Sequence, residues 1–290
     1  MKVFMIGNSF SVCVGKYLPA LVRAEGRHEL LLTGAYIGGC SLRTHAEHLA
    51  AAEKDPAFAP YRIGVWDSGD LRKHHYRPGS VLNVLKSDSF DVVTIQQASH
   101  ESWDFSTYFP WAGTVISCVK KFNPKAKIMI QQTWSYRADS PRLAAWGFDG
   151  DEMFRRVVKA YDIFAARTGF QLIPTGTAVD LFRRESGETY VPLSPARRTA
   201  YRCPDLPPAA ADVVGRDYWT KDETGVMQLL SDTIHLNSRG EYLQACVWYG
   251  ALFGEDPRRI AFEPADMGSD ECRFLRQCAA KALEKYGKVF

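Results

Sequence analysis

Ser9, Asp232 and His235 are the residues of this chain best suited to nucleophilic chemistry. Ser9 follows the first apolar run, Lys2-Val3-Phe4-Met5-Ile6-Gly7-Asn8, and Asp232-Thr233-Ile234-His235 stands far downstream, just ahead of a C-terminal helical pattern. A hydroxyl becomes a nucleophile when a base takes its proton, and an imidazole serves as that base when a carboxylate orients it. The chain supplies the alcohol at one end and the imidazole with its carboxylate at the other, in an order unlike those of the familiar proteases. Each residue also has a plainer use. Ser9 or Ser11 can cap the first helix, and Asp232 can bond His235 within a turn that has no further partner.

Three other stretches offer polar groups that a sheet would bring alongside Ser9. Gly38-Gly39-Cys40-Ser41 follows the second apolar run. Lacking a side chain, Gly39 lets its amide approach a ligand and, with the Ser9 amide, hold a developing oxyanion. Gln96-Gln97 ends the third run, Asp91-Val92-Val93-Thr94-Ile95. Amides buried there need partners; one of them could donate to the same oxyanion, and both could equally bond neighbouring loops. Gln131-Gln132 ends the fourth run and leads into Thr133-Trp134-Ser135-Tyr136. Gln97, Gln132 and Trp134 are therefore candidate substrate contacts. Trp134 and Tyr136 would stack on a sugar ring if they stand at a rim, or simply cover the core. His45-x-x-His48 and His74-His75 lack a carboxylate in ligand register, so no metal and no cofactor is expected.

The elements that must position these residues are legible in the hydropathy pattern. Lys2–Ile6, Leu30–Ala35, Asp91–Ile95, Lys127–Ile130 and Phe170–Pro174 are apolar without alternation, as expected of parallel strands covered on both faces. Helical spacing recurs between them, over Lys16–Glu25, Phe109–Lys121 and Phe154–Thr168. This alternation predicts a three-layer α/β/α domain with about five parallel strands and right-handed crossovers. In such a sheet, ligands bind outside the carboxyl ends of the strands, where Ser9, Gly39 and Gln96 all fall. A helix beginning at the capping-box pattern Ser238-Arg239-Gly240-Glu241 and ending at Gly254 would anchor His235, and a second would cover Asp270–Tyr286. Two segments break the alternation. Residues 51–89 contain Tyr61–Asp70, which reads as a hairpin arm and turn, and the proline-rich residues 186–224 read as an irregular surface insertion. Neither has the apolar periodicity of a separate domain, so residues 1–290 are expected to form one.

Bulk composition narrows the class. At 290 residues, with 46% hydrophobic and 24% charged, the chain can bury a large core. The net charge of +3 comes without a basic block or aromatic-basic stripe, which argues against nucleic acid as a partner. Seven scattered cysteines include no C-x-x-C pair, favouring free thiols and a reducing compartment. No apolar stretch reaches membrane-spanning length and none reads as a signal peptide. The sequence as written is thus expected to be cytoplasmic, or periplasmic or secreted if a signal peptide once preceded it. Oligomeric state is left open.

Three blocks resemble those of the SGNH (GDSL-like) hydrolase superfamily, and within it a bacterial branch defined only as a domain of unknown function, near the carbohydrate acetylesterases. Gly7-Asn8-Ser9-Phe10-Ser11 is similar to the first block, Ile37-Gly38-Gly39-Cys40-Ser41-Leu42 to the second and Asp232-Thr233-Ile234-His235-Leu236-Asn237 to the last. The third departs. Where the common pattern is Gly-x-Asn-Asp, this chain has Ile95-Gln96-Gln97-Ala98-Ser99, closer to a Gln-Gly-Glu variant of acetylesterase-like members. The resemblance implies a flavodoxin-like fold and a metal-independent serine ester hydrolase. In it, Ser9, Asp232 and His235 form the triad, and the Ser9 and Gly39 amides with the Gln96 side chain form the oxyanion hole, Gln97 being the fallback. The implied substrate is a small-molecule or glycan ester, foremost an acetylated carbohydrate. The alternatives are a lipase or thioesterase on longer acyl chains and a carbohydrate-binding protein without turnover.

Overall fold

The computed structural model describes the chain apart from residues 73, 74, 209 and 210 and the side chain at 195. β1 (Lys2–Gly7) runs through α1 (Ser9–Val12), a 3-10 turn (Cys13–Lys16) and α2 (Leu18–Glu25) to β2 (Leu31–Tyr36). After α3 (Leu42–Lys54) come β3 (Tyr61–Asp67), β4 (His75–Gly79), α4 (Val81–Ser87) and β5 (Val92–Ile95). α5 (Trp111–Phe122) leads to β6 (Lys127–Gln131), and α6 (Pro141–Trp146) and α7 (Gly150–Thr168) lead to β7 (Gln171–Ile173). α8 (Thr175–Glu185) and the short α9 (Pro195–Arg198) precede a hairpin of β8 (Val214–Lys221) and β9 (Met227–Leu236). α10 (Ser238–Phe253) and α11 (Ser269–Lys285) follow.

Seven strands form one sheet in the order β4-β3-β2-β1-β5-β6-β7. Its parallel part, β2-β1-β5-β6-β7, is built from the five apolar runs. Counted among themselves these strands run 2-1-3-4-5, the flavodoxin winding, whose order reverses between β1 and β5. The five expected parallel strands are joined by two antiparallel ones, making seven. Tyr61–Asp67 pairs antiparallel with β2, and β4 pairs antiparallel with Tyr61–Asp67. Within residues 51–89, β3 and β4 therefore extend the sheet. Their edge strand is blunted by exposed His75, Arg77 and Pro78, and Pro78 has no N–H to offer a further strand.

Helices cover both faces, which is why β1 needs no polar alternation. α2, α8, α10 and α11 pack together on one face, and α3, α4 and α5 on the other. α7 joins the second group through the edge-to-face rings of Tyr108, Phe109, Tyr161 and Phe164. α10 is flanked by helices as well as by the sheet, and its residues from Tyr242 to Ala251 are buried on every side. Its cap is Asn237, one residue ahead of the expected Ser238; the Asn237 side chain accepts from the Gly240 amide, and the helix stops at Gly254 in the left-handed region. The stretch expected to be irregular, 186–224, holds the short α9 and, from Val214, strand β8. Asp232 and His235 accordingly sit on strand β9, paired with β8, and not on a free loop. Among the described residues no helix is long and apolar enough to cross a membrane.

Candidate functional site

Asn8 shapes the turn that presents the serine. Its extended backbone ends β1, and its side-chain oxygen accepts from the Phe10 amide at 3.0 Å, capping α1. The cap is thus neither Ser9 nor Ser11, and both hydroxyls are released for other bonds. Ser11 donates to Gln96 Oε1 at 2.7 Å, Gln96 Nε2 donates to Asn8 Oδ1 at 2.8 Å, and Asn8 Nδ2 donates to the Cys40 carbonyl at 3.0 Å. This buried chain of amides ties the ends of β1, β2 and β5 together beneath Ser9.

Ser9 Oγ lies 2.8 Å from His235 Nε2, and His235 Nδ1 lies 2.8 Å from Asp232 Oδ2. The other Asp232 oxygen accepts the amides of Ile234 and His235 at 3.0 and 3.1 Å. Burial pushes the Asp232 carboxyl up, but the His235 ring and these two amides outweigh it and hold the group well below the usual carboxylate range. It therefore remains an anion facing Nδ1, the arrangement that leaves Nε2 free to accept a proton. By linkage, the stabilisation from this carboxylate is present above the ordinary carboxylate pKa and is lost as the pH falls below it.

Several contacts hold the histidine strand beside the serine turn. The Trp134 indole N–H donates to the Ile234 carbonyl at 2.9 Å, and its ring stacks on Phe10 with centroids 4.0 Å apart. Phe10 in turn stands 5.5 Å from the His235 ring. The Arg137 amide adds a bond to the Thr233 carbonyl at 2.9 Å. Gly39 sits beside the turn at φ 64°, a conformation that favours glycine, and the site of a missing Cβ there faces His100 Cε1 at 3.8 Å.

Several side chains nominated from the sequence do not reach this site. Trp134 is fully buried with its N–H used internally, so the rim-stacking role is corrected to packing behind the histidine. Tyr136 is fully buried as well. Gln97 accepts from the Leu42 and Ala98 amides and donates to Thr107; Gln132 accepts from Thr177 and donates to Tyr286. Neither amide retains an exposed face. Gln96, the nominated oxyanion donor, is likewise inaccessible, since its Nε2 serves Asn8 from beneath the turn. All three glutamines are strand-end amides whose bonds go to groups inside the protein. His45 is buried beside Tyr61, and His74 lies outside the described residues. Among the described residues no three His, Cys, Asp or Glu side chains gather as a metal site.

The serine and histidine open onto a cleft of about 580 Å³ lined also by Tyr36, Trp66, Leu71, Tyr76 and Arg216. These residues were not nominated from sequence. Three come from the extra strands and their connection, and Arg216 from the strand opposite Asp232. Cys13 also lines the cleft, but burial raises its thiol pKa strongly and it donates to Gln244 at 3.0 Å, so it is no rival nucleophile.

Fold and site together describe an open, flavodoxin-wound α/β protein with a Ser–His–Asp relay at the carboxyl edge of its sheet. The chain belongs to the family described as domain of unknown function DUF4886, whose profile matches residues 2–190. That span holds Ser9 and Gly39 but ends before Asp232 and His235. A crystal structure of a DUF4886 family protein from Bacteroides uniformis is similar over 100% of this chain and 97% of its own, with a TM-score of 0.78 and 22% identity, a likeness of fold. Looser likenesses include a putative SGNH hydrolase from Slackia heliotrinireducens (TM-score 0.49, 20% identity, 86% of this chain and 96% of that one). An acetylxylan esterase from Geobacillus stearothermophilus is similar at TM-score 0.41 and 15% identity, over 90% of this chain and 94% of that one. No curated protein matches the chain.

Proposed function

We propose that the protein is a serine ester hydrolase that removes short acyl groups, foremost acetyl, from a carbohydrate. The observation that carries the reading is the unbroken relay from Asp232 through His235 to Ser9, with 2.8 Å at each step of the imidazole. His235 Nε2 takes the Ser9 proton as Oγ attacks the ester carbonyl. The resulting oxyanion rests on the Ser9 and Gly39 amides. With Gln96 inaccessible, we assign the accompanying side-chain donor to His100, which borders Gly39. His235 then protonates the leaving alcohol, and water deprotonated by His235 releases the acid from the acyl-enzyme.

A p-nitrophenyl ester series from acetate upward, run with Ser9→Ala, tests the proposal. Turnover is expected to be fastest for short chains and to drop by several orders of magnitude in the variant, with fluorophosphonate labelling of Ser9 in the wild type. Undiminished turnover by the variant would remove Ser9 from the role, and a preference for long chains would favour a lipase.

A further inference from the structure

One wall of the cleft takes no part in the relay. Trp66 is seated in it by close packing: a Cβ at Gly64 would fall 2.6 Å from the indole and 2.7 Å from the Tyr76 ring. Trp66 meets Tyr76 edge-on, with centroids 5.8 Å apart, and the Arg62 guanidinium lies over Tyr76 at 4.4 Å. Tyr76 and Leu71 of this wall remain exposed. The result is a braced apolar surface beside a nucleophile, the kind of surface against which the C–H face of a sugar ring packs.

Arg216 also lines the cleft. It is the β8 partner of Asp232 in the hairpin register, so the two side chains share a face. The other charged side chains lining the cleft are already engaged. Lys16 lies 2.6 Å from Glu241, and Asp232 is bonded to His235. Arg216 is exposed and forms no ion pair with a carboxylate among the described residues. The cleft therefore carries one guanidinium that no carboxylate engages directly, whose planar fork matches a carboxylate.

We infer that the substrate is an ester of an acidic sugar, with its ring against the Tyr76 wall and its carboxylate on Arg216. The inference rests on the ester-hydrolase reading and adds the substrate's charge. A matched pair tests it: methyl glucuronoside and methyl glucoside, each carrying one O-acetyl group at the same position. Wild type is expected to favour the acidic ester in kcat/KM by about tenfold, the size of one partly solvated charge-assisted contact. The ratio should fall to about one in Arg216→Gln through KM and recover only in part in Arg216→Lys. It should also shrink as salt is raised. A wild-type ratio of one or less, or a ratio unchanged in Arg216→Gln, overturns the inference, as does turnover of p-nitrophenyl acetate with neither sugar ester cleaved. If p-nitrophenyl acetate is not hydrolysed and Ser9 is not labelled, it is the hydrolase reading that fails. Binding of methyl glucuronoside to Ser9→Ala, followed by NMR, then decides the charge. Binding lost on adding Arg216→Gln supports it, and absent or unaffected binding refutes it.

Discussion

Trp134→Phe separates two accounts of the same aromatic residue. If the indole positions the histidine strand, the substitution removes one hydrogen bond and part of a ring while keeping the stack on Phe10. The Ile234 carbonyl loses its 2.9 Å donor, and leaving a part-buried acceptor unpaired costs about 1–2 kcal/mol. The smaller ring leaves a void in a fully buried site, adding on the order of 1 kcal/mol. Together these lower the melting temperature by roughly 5–10 °C. The chemical consequence follows from the sequence neighbourhood: Ile234 adjoins His235, so slack in this carbonyl is slack in Nε2. A displacement near 1 Å can cost about 100-fold in rate, and it should appear in kcat with little change in KM. Thermal unfolding monitored by circular dichroism, with steady-state kinetics on p-nitrophenyl acetate, reads both quantities. An unchanged melting temperature with a raised KM and intact kcat would refute the positioning account and restore Trp134 to the substrate.

Further expectations follow from the same geometry. Asp232→Asn should lower kcat by roughly 100- to 10,000-fold, because an amide no longer stabilises the imidazolium or selects the tautomer; equal rates in the two enzymes would show that the pair is structural. Gln96→Leu removes the partner of both Ser11 and Asn8, and should cost about 1–3 kcal/mol measured by urea unfolding. A loss of kcat with full stability would instead return Gln96 to the oxyanion hole. Burial, with His48 nearby, holds His45 down to about 3 from its ordinary 6.5. The folded state keeps it neutral while the unfolded chain protonates, so stability should fall as the pH drops from 6.5 toward 3, by up to about 1.4 kcal/mol per pH unit. Urea midpoints at pH 7, 6 and 5 should show this slope, and His45→Gln should flatten it.

Much of the fold was legible because a parallel strand covered on both faces must be apolar throughout. The five runs declared themselves in this way, and their winding placed Ser9 and Gly39 at one edge. The extra strands were harder to read: β4 is an exposed edge of His75, Tyr76, Arg77 and Pro78, with no apolar signature. The strand-end glutamines announced that amides were needed, but not on which side. Gln96 and Gln97 are adjacent and chemically identical, yet one braces the serine turn and the other a loop at Thr107. Trp134 showed a large ring near the site, while its burial depended on where β9 crosses.

Residue type and spacing alone determined the chemistry on offer, an alcohol, an imidazole and a carboxylate, together with the winding that carries the alcohol to a sheet edge. Only the tertiary structure decided which groups face that edge. A side chain's direction depends on the hydrogen bonds competing for it, and those come from segments up to some two hundred residues away: His235 for Ser9, Gln96 for Asn8, Ile234 for Trp134. Arg216 illustrates the same dependence, since the β8–β9 register sets it opposite Asp232 and nothing in its local sequence marks it.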